Sequence, residues 1–445
     1  MFHLRAGRTE LLIDCGLFQG IGQEIKNYRE LPLDLSSLDA IVITHAHQDH
    51  CGFLPRISSL GFSGSVICTP ATYDLMRIML MDAAHIHEED YARLLKFAHK
   101  DLREPIFTVD DVLQMEKKLT YILLKYGEEH QIGDIKIVLR DAGHILGSAF
   151  VEIEVKENGA RKGIVISGDI GNKNKPVVRD PESPKLKDAE IVLVESTYGD
   201  RLHKGISESK EELKQALNET LPQGNVIIPV FSLDRAQDIL YILREFKESG
   251  MLDEKVQVFL DSPLAINATS IYEAHVECFD DEAKELIKQK KDPFIFSGVH
   301  LVRSVGASKM LNSIKRGAII LAGSGMCTGG RVKYHLLRHL PDPKSAVIFV
   351  GYQAEGTTGR EIVDGAKTIK IHDEVVDIKA KIYTINGFSA HADQNILIEW
   401  LERLKNSPDI YLVHGDEKRM EVFDRVLRDR GLKSFMPEEG SSVKI

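Results

Sequence analysis

The run His45-Ala-His47-Gln-Asp49-His50 follows directly on the β-branched stretch Ala40-Ile-Val-Ile-Thr44. A strand that ends in three imidazoles and a carboxylate delivers them into one cavity, which restricts the chain to sheet architectures with a site at strand ends. Imidazole and carboxylate are zinc donors, and a catalytic zinc keeps one position open for water. Four donors from one loop exceed what a single catalytic zinc takes from neighbouring residues, so the spacing predicts two metals. Further donors stand after other predicted strands: His144 after Ile135–Leu139, Asp169 after Gly163–Ser167, and His414 after Ile410–Val413. Each alone reads as a hydrogen-bonded loop residue. Together, in positions matching the first run, they read as ligands. His85, His87 and His99 stand among Glu88, Glu89 and Asp90 and read as a solvated helix face.

At 445 residues the chain exceeds one ordinary core, and two domains are expected. The five cysteines are scattered, with no C-x-x-C, which argues against a disulfide framework and a thiolate metal site. No apolar run is long enough to span a membrane, and Met1 to Cys15 alternates like a strand rather than a secretory signal. The expected location is cytoplasmic. A net charge of −10 lacks the basic footprint usual for nucleic-acid binding, although two bound zinc ions would place four positive charges in the site. Short strands dominate up to Ile191–Val194, with helices expected over 71–100 and Val109–Tyr121. From about Thr197 strand and helix alternate strictly, as in a parallel doubly wound sheet. The strands Lys381–Ile385 and Ile410–Val413 return to the first style, so the segment near 198–384 reads as an insertion.

Taken in order, Asp14 in Leu-Leu-Ile-Asp-Cys-Gly, the His45–His50 block, His144 and Asp169 resemble the four motifs of the metallo-β-lactamase superfamily. Glu195 in Glu-Ser-Thr-Tyr-Gly, His391 in Phe388-Ser-Ala-His-Ala-Asp393, and His414 resemble motifs A, B and C of its β-CASP branch, which comprises nucleases. The resemblance covers nearly the whole chain. It implies an α/β fold: an αββα sandwich (1–197 and 385–445) with an inserted parallel-sheet β-CASP domain (198–384). It also implies one zinc on His45, His47 and His144, another on Asp49, His50 and His414, and Asp169 bridging, with Asp14 accepting from a ligand imidazole. Branch members acting on RNA carry histidine at motif C, as His414 does here. The chain departs from the family in opening inside the strand before Gly16, where members usually have a further strand.

The function implied is zinc-dependent hydrolysis of single-stranded RNA. Glu195, His391 and Asp49 form the catalytic set, and Ser389 and Arg331 are candidate phosphate contacts. His391, oriented by Glu195, would protonate the leaving 3′-oxygen. The scissile phosphate is expected between the two domains. No membrane partner is expected, and a homodimer is an open assembly. Two rival readings are a small-molecule thioester or lactam hydrolase and a non-catalytic RNA-processing subunit. The large insertion and the Glu195/His391 pair speak against the first, and the intact ligand set against the second.

Overall fold

The computed structural model describes residues 1–20, 22–96, 103–157 and 160–444. Its contacts divide the chain into one unit of residues 1–173, 180–202 and 391–445, and another of 174–179 and 203–390. The first unit opens on an antiparallel hairpin, β1 (Phe2–Ala6) and β2 (Thr9–Ile13), where the sequence suggests one continuous strand. The strands β3 (Ala40–Val42), β4 (Ser65–Cys68) and β5 (Thr120–Leu123) add in parallel, giving the order β1-β2-β3-β4-β5. The helix expected to Tyr121 stops at Lys118, because Thr120-Tyr-Ile is β-branched and aromatic and pairs with β4. The helix expected over 71–100 runs Pro70–Lys96; residues 97–100 lie outside the described residues.

A second sheet starts as a meander of β6 (Glu129–Ile132), β7 (Ile135–Asp141), β8 (Ala149–Glu157) and β9 (Ala160–Ile166), followed by β10 (Ile191–Glu195) parallel to β9. The two sheets meet through alternating side chains. Leu11, Ile13, Val42 and Ile67 from the first pack with Ile137, Leu139, Val151 and Ile153 from the second. Leu12 and Ile41, one residue out of phase, are fully buried but lie outside that cluster.

The second unit holds β11 (Val226–Pro229), β12 (Gln257–Asp261), β13 (Val299–Leu301), β14 (Ala318–Ala322) and β15 (Ala346–Phe349). A hairpin of β16 (Thr368–Ile371) and β17 (Glu374–Asp377) follows, and then β18 (Lys381–Thr384). The parallel sheet has the order β13-β12-β14-β11-β15-β18. Its central strands read Val-Ile-Ile-Pro and Ala-Ile-Ile-Leu-Ala without alternation because they are buried throughout. Lys381–Thr384, whose style suggests the strands of the first unit, lies within the expected insertion and pairs with β15 as an edge strand of this sheet. The division therefore falls at Ala390/His391.

The chain re-enters the first unit with β19 (Asp409–Val413) and β20 (Ser434–Phe435), completing the second sheet as β20-β19-β10-β9-β8-β7-β6. The helices Gln394–Leu401 and Glu417–Asp429 start at Asp393 and Asp416, whose carboxylates cap their first turns. They place Leu397, Trp400, Phe423 and Leu427 on Phe150, Val192 and Val194 of the sheet's outer face. Burial of Phe423 alone contributes about 2–3 kcal/mol. No helix among the described residues is long and apolar enough to cross a membrane.

The ends of β2 and β3 are laced together: Cys15 N donates to His50 O (2.7 Å) and Leu17 N to Gln48 O (2.9 Å). Between them Gly16 leaves no room for a side chain, since a Cβ would lie 1.5 Å from the Asp49 carbonyl oxygen. Gly16→Ala must push the ligand turn away. We expect it to lower the unfolding free energy in urea by about 3 kcal/mol.

Candidate metal centre

Each ligand candidate follows the end of a strand in the first unit. His45 and His47 lie in the loop after β3, while Asp49 and His50 lie on a single helical turn, Gln48–Cys51, rather than in an irregular loop. From that turn Asp49 and His50 both bring a donor atom close to His414. His144 is in the β7–β8 connection, where Ser148 Oγ accepts from its backbone N–H at 3.0 Å. Asp169 follows β9 through Gly168, whose φ of +52° and absent Cβ admit Thr44 within van der Waals range. Glu195 ends β10 and His414 follows β19. Asp14 (φ +56°) and His414 (φ +52°) hold left-handed backbone conformations that cost energy without glycine, as functional positions often do.

These residues converge into two groups that could hold a metal ion: His45, His47, His144 and Asp169, and Asp49, His50 and His414. In the first, His47 Nδ1 lies 3.0 Å from His45 Nε2 and 3.2 Å from His144 Nε2. Asp169 Oδ2 lies 3.5 Å from both of those Nε2 atoms. A tetrahedron of donors at about 2.05 Å from zinc has edges of about 3.3 Å, which these separations bracket. In the second, His414 Nε2 lies 3.3 Å from His50 Nε2 and 3.4 Å from Asp49 Oδ2, and His50 Nε2 is 3.3 Å from Asp169 Oδ1. Asp169 therefore offers one oxygen to each group. Its Oδ1 is buried yet finds no hydrogen-bond donor, which suits a carboxylate oxygen aimed at a cation. Facing imidazole nitrogens cannot all carry protons at these distances. A cation among them relieves the opposed lone pairs.

Asp169, Glu195 and His414 form a third conceivable donor set. Glu195 is otherwise committed: Oε1 accepts from Ile170 N (2.8 Å), and both oxygens lie 3.2 Å from His391 Nδ1.

The electrostatics divide the cluster. Burial depresses His45, His47 and His144, keeping them neutral and ready to donate lone pairs. Burial also works against charge on His50 and His414, but nearby carboxylates outweigh it. Asp169 and Asp14 hold His50 well above the usual imidazole range; Asp169 and the hydrogen bond to Asp49 raise His414 to about 9. Half-buried Asp49 and buried Asp169 stay ionised despite desolvation because imidazoles surround them. This half of the site favours positive charge, which a divalent cation supplies.

Asp14 Oδ2 lies 2.7 Å from His50 Nδ1, an arrangement that places the proton on Nδ1 and the lone pair on Nε2. Its Oδ1 accepts from Thr44 N at 2.8 Å. In Asp14→Asn the amide would face the imidazole N–H donor to donor. Competitive chelator titration should then show metal affinity lowered about 10- to 100-fold.

His391 is held from below. Its Nδ1 faces Glu195, and Ala392 N donates to Ile170 O (2.7 Å). Its ring centroid lies 4.5 Å from that of His144 and 6.3 Å from that of His414. Burial lowers its proton affinity, yet Glu195 and Asp169 raise it further, so the net shift is upward.

The two candidate phosphate contacts belong to the other unit. Arg331 is committed there: Nη1 donates to Asp261 Oδ1 (2.7 Å) and Val302 O (2.9 Å), and Nη2 to Arg303 O (2.7 Å). It braces loops. Ser389 is half-buried. Sequence reading missed Thr44, whose hydroxyl lies within 3.4 Å of Asp14, His45 and His50 together, and Thr197, whose hydroxyl meets His414 Nδ1 (3.2 Å) and O (3.1 Å). The one available signal was that each directly adjoins or nearly adjoins a motif residue.

Comparison with known proteins identifies the family. The metallo-beta-lactamase superfamily model matches residues 3–228, the Beta-Casp domain model 236–362, and the Zn-dependent metallo-hydrolase RNA specificity domain model 375–437. Ribonuclease TTHA0252 of Thermus thermophilus is 38% identical over 99% of this chain and 96% of its own length. Transcription termination factor FttA of Methanocaldococcus jannaschii is 34% identical over 98% of this chain and 68% of its own. A solved protein of unknown function from Enterococcus faecalis shares the fold (TM-score 0.53, 11% identity, covering 99% of this chain and 95% of that one). With its motifs, its two strand-end ligand groups and both family domains in place, the chain belongs to the β-CASP branch of the metallo-β-lactamase superfamily.

Proposed function

We propose that the protein is a zinc-dependent ribonuclease that hydrolyses phosphodiester bonds of single-stranded RNA. The observation that carries this reading is the placement of His391, backed by Glu195, against the His144 and His414 rings of a double metal-ligand cluster. Two zinc ions bound there would acidify water toward neutrality and offset charge on a non-bridging phosphate oxygen. Every other role falls to the chain. Asp49, at 36% side-chain exposure, presents its carboxylate where an incoming water can donate a hydrogen bond. Glu195 holds Nδ1–H of His391, so the mobile proton sits on Nε2. As water attacks phosphorus, the bond to the ribose 3′-oxygen breaks and Nε2–H protonates that oxygen. The products are a 3′-hydroxyl and a 5′-phosphate. The histidine at position 414 and the named ribonuclease among the relatives favour RNA as the substrate.

The test is incubation of the purified protein with 5′-labelled single-stranded RNA and, separately, with a glutathione thioester. Cleavage of the RNA with 3′-hydroxyl ends, abolished by chelator and restored by zinc, is expected. Thioester hydrolysis with intact RNA would overturn the reading.

A further inference from the structure

At the rim of the candidate metal centre, β10 and β19 pair in parallel with Glu195 opposite Val413, so the turns that follow them run together. Their approach is close: a Cβ on Gly415 would come within 2.9 Å of Ser196 O. The first turn supplies Glu195, whose carboxylate faces His391. Two residues on, it supplies Thr197, which the mechanism above does not use.

The Thr197 hydroxyl meets two atoms of one residue, His414 O at 3.1 Å and His414 Nδ1 at 3.2 Å. A hydroxyl carries one proton and two lone pairs, whereas a carbonyl oxygen can only accept. Both bonds form together in one arrangement only: the O–H donates to His414 O, and Oγ1 accepts from Nδ1–H. That leaves the imidazole lone pair on Nε2, the atom 3.3 Å from His50 Nε2 and 3.4 Å from Asp49 Oδ2. A competing acceptor stands near Nδ1, Asp169 Oδ1 at 3.3 Å, but that oxygen makes no hydrogen bond among the described residues. The bond to His414 O acts on the backbone as well. With φ at +52°, His414 is in a left-handed conformation that a residue other than glycine keeps only when its surroundings hold it there. Thr197 is itself anchored, since Arg419 Nη1 donates to its carbonyl oxygen at 2.9 Å.

We infer that Thr197 is a positioning residue for the second metal group: its hydroxyl fixes the tautomer and backbone of His414, and so aims Nε2 at a cation shared with Asp49 and His50. Thr197 does for His414 what Asp14 does for His50, with a neutral hydroxyl in place of a carboxylate. One turn thus orients the proton donor through Glu195 and a metal ligand through Thr197. The inference rests on the two-zinc ribonuclease reading.

The experiment is competitive chelator titration of the zinc-loaded protein, wild type beside Thr197→Val and Thr197→Ser. Valine keeps the branched shape and removes the hydroxyl; serine keeps the hydroxyl. In Thr197→Val one of the two zinc ions should be held about 10- to 100-fold more weakly, the range for losing an outer partner of a ligand, and the other at the wild-type affinity. The tightly held ion also reports that the variant is folded. Thr197→Ser should restore most of the loss. Wild-type affinity for both ions in Thr197→Val, or equal weakening of both, would overturn the role of Thr197 while leaving the ribonuclease reading standing. A wild type that holds fewer than two zinc ions would overturn that reading and this inference together. A crystal structure of the zinc-loaded wild type needs no variant. Zinc on His414 Nε2, with Nδ1 facing Thr197 Oγ1, is expected; zinc on Nδ1 would overturn the inference.

Discussion

Replacing Asp169 with asparagine should remove metal and activity together. Asp169 is 2% exposed and sits between the two ligand groups, with Oδ2 toward His45 and His144 and Oδ1 toward His50 and His414. An amide keeps the shape but forfeits the charge and presents N–H groups toward one half of the site. We expect a loss of kcat of at least about 10³-fold, the upper scale for deleting a single stabilising donor, since here a whole metal site is disturbed. The physical origin can be separated from a folding defect. A ligand that binds only the native state raises stability by about 4 kcal/mol at a thousand times its dissociation constant. Zinc should therefore raise the Tm of the wild type and leave that of Asp169→Asn nearly unmoved. A variant that still takes up zinc with an equal Tm shift would show that the bridge is not needed.

The second large effect is expected at His391. His391→Ala should lower kcat by about 10²- to 10⁴-fold, the range for removing a positioned general acid, while metal content stays at the wild-type level. None of the 3.0–3.5 Å donor contacts that define the two metal groups involves His391. The discriminating substrate is an RNA with a 3′-bridging sulfur at the scissile linkage, because a thiolate leaves without a proton. The variant should recover most of its lost rate on that substrate. Equal impairment on oxygen and sulfur substrates would contradict proton donation, and loss of zinc would place His391 among the ligands.

How far the sequence alone carries depends on whether the deciding contact is local. Candidate ligands at the ends of β3, β9 and β19 were legible because β-branched runs stop abruptly at a polar donor, and that pattern survives without tertiary information. The αββα layering was legible only through the family resemblance that those motifs carry. The assignment of Lys381–Thr384 was not, because a four-residue apolar strand looks the same whichever sheet it joins; only its register with Ala346–Phe349 decides. Thr120–Leu123 was hidden by the helix ahead of it, whose polar-apolar pattern continues smoothly into the strand. Arg331 looked available beside a Gly-rich segment, yet Asp261, 70 residues earlier, claims it. Conversely, Arg201 and Arg419 share one aromatic ring from positions more than 200 residues apart, and nothing in their local sequence links them.

The claim beneath all of this is that seven side chains gather a pair of divalent cations. Anomalous diffraction at the zinc edge, from crystals of the zinc-loaded protein, tests it most directly. Two peaks per chain are expected, one among His45, His47 and His144 and the other among Asp49, His50 and His414, with Asp169 reaching both. A single peak, or none with His414 turned away from Asp49, would contradict the account.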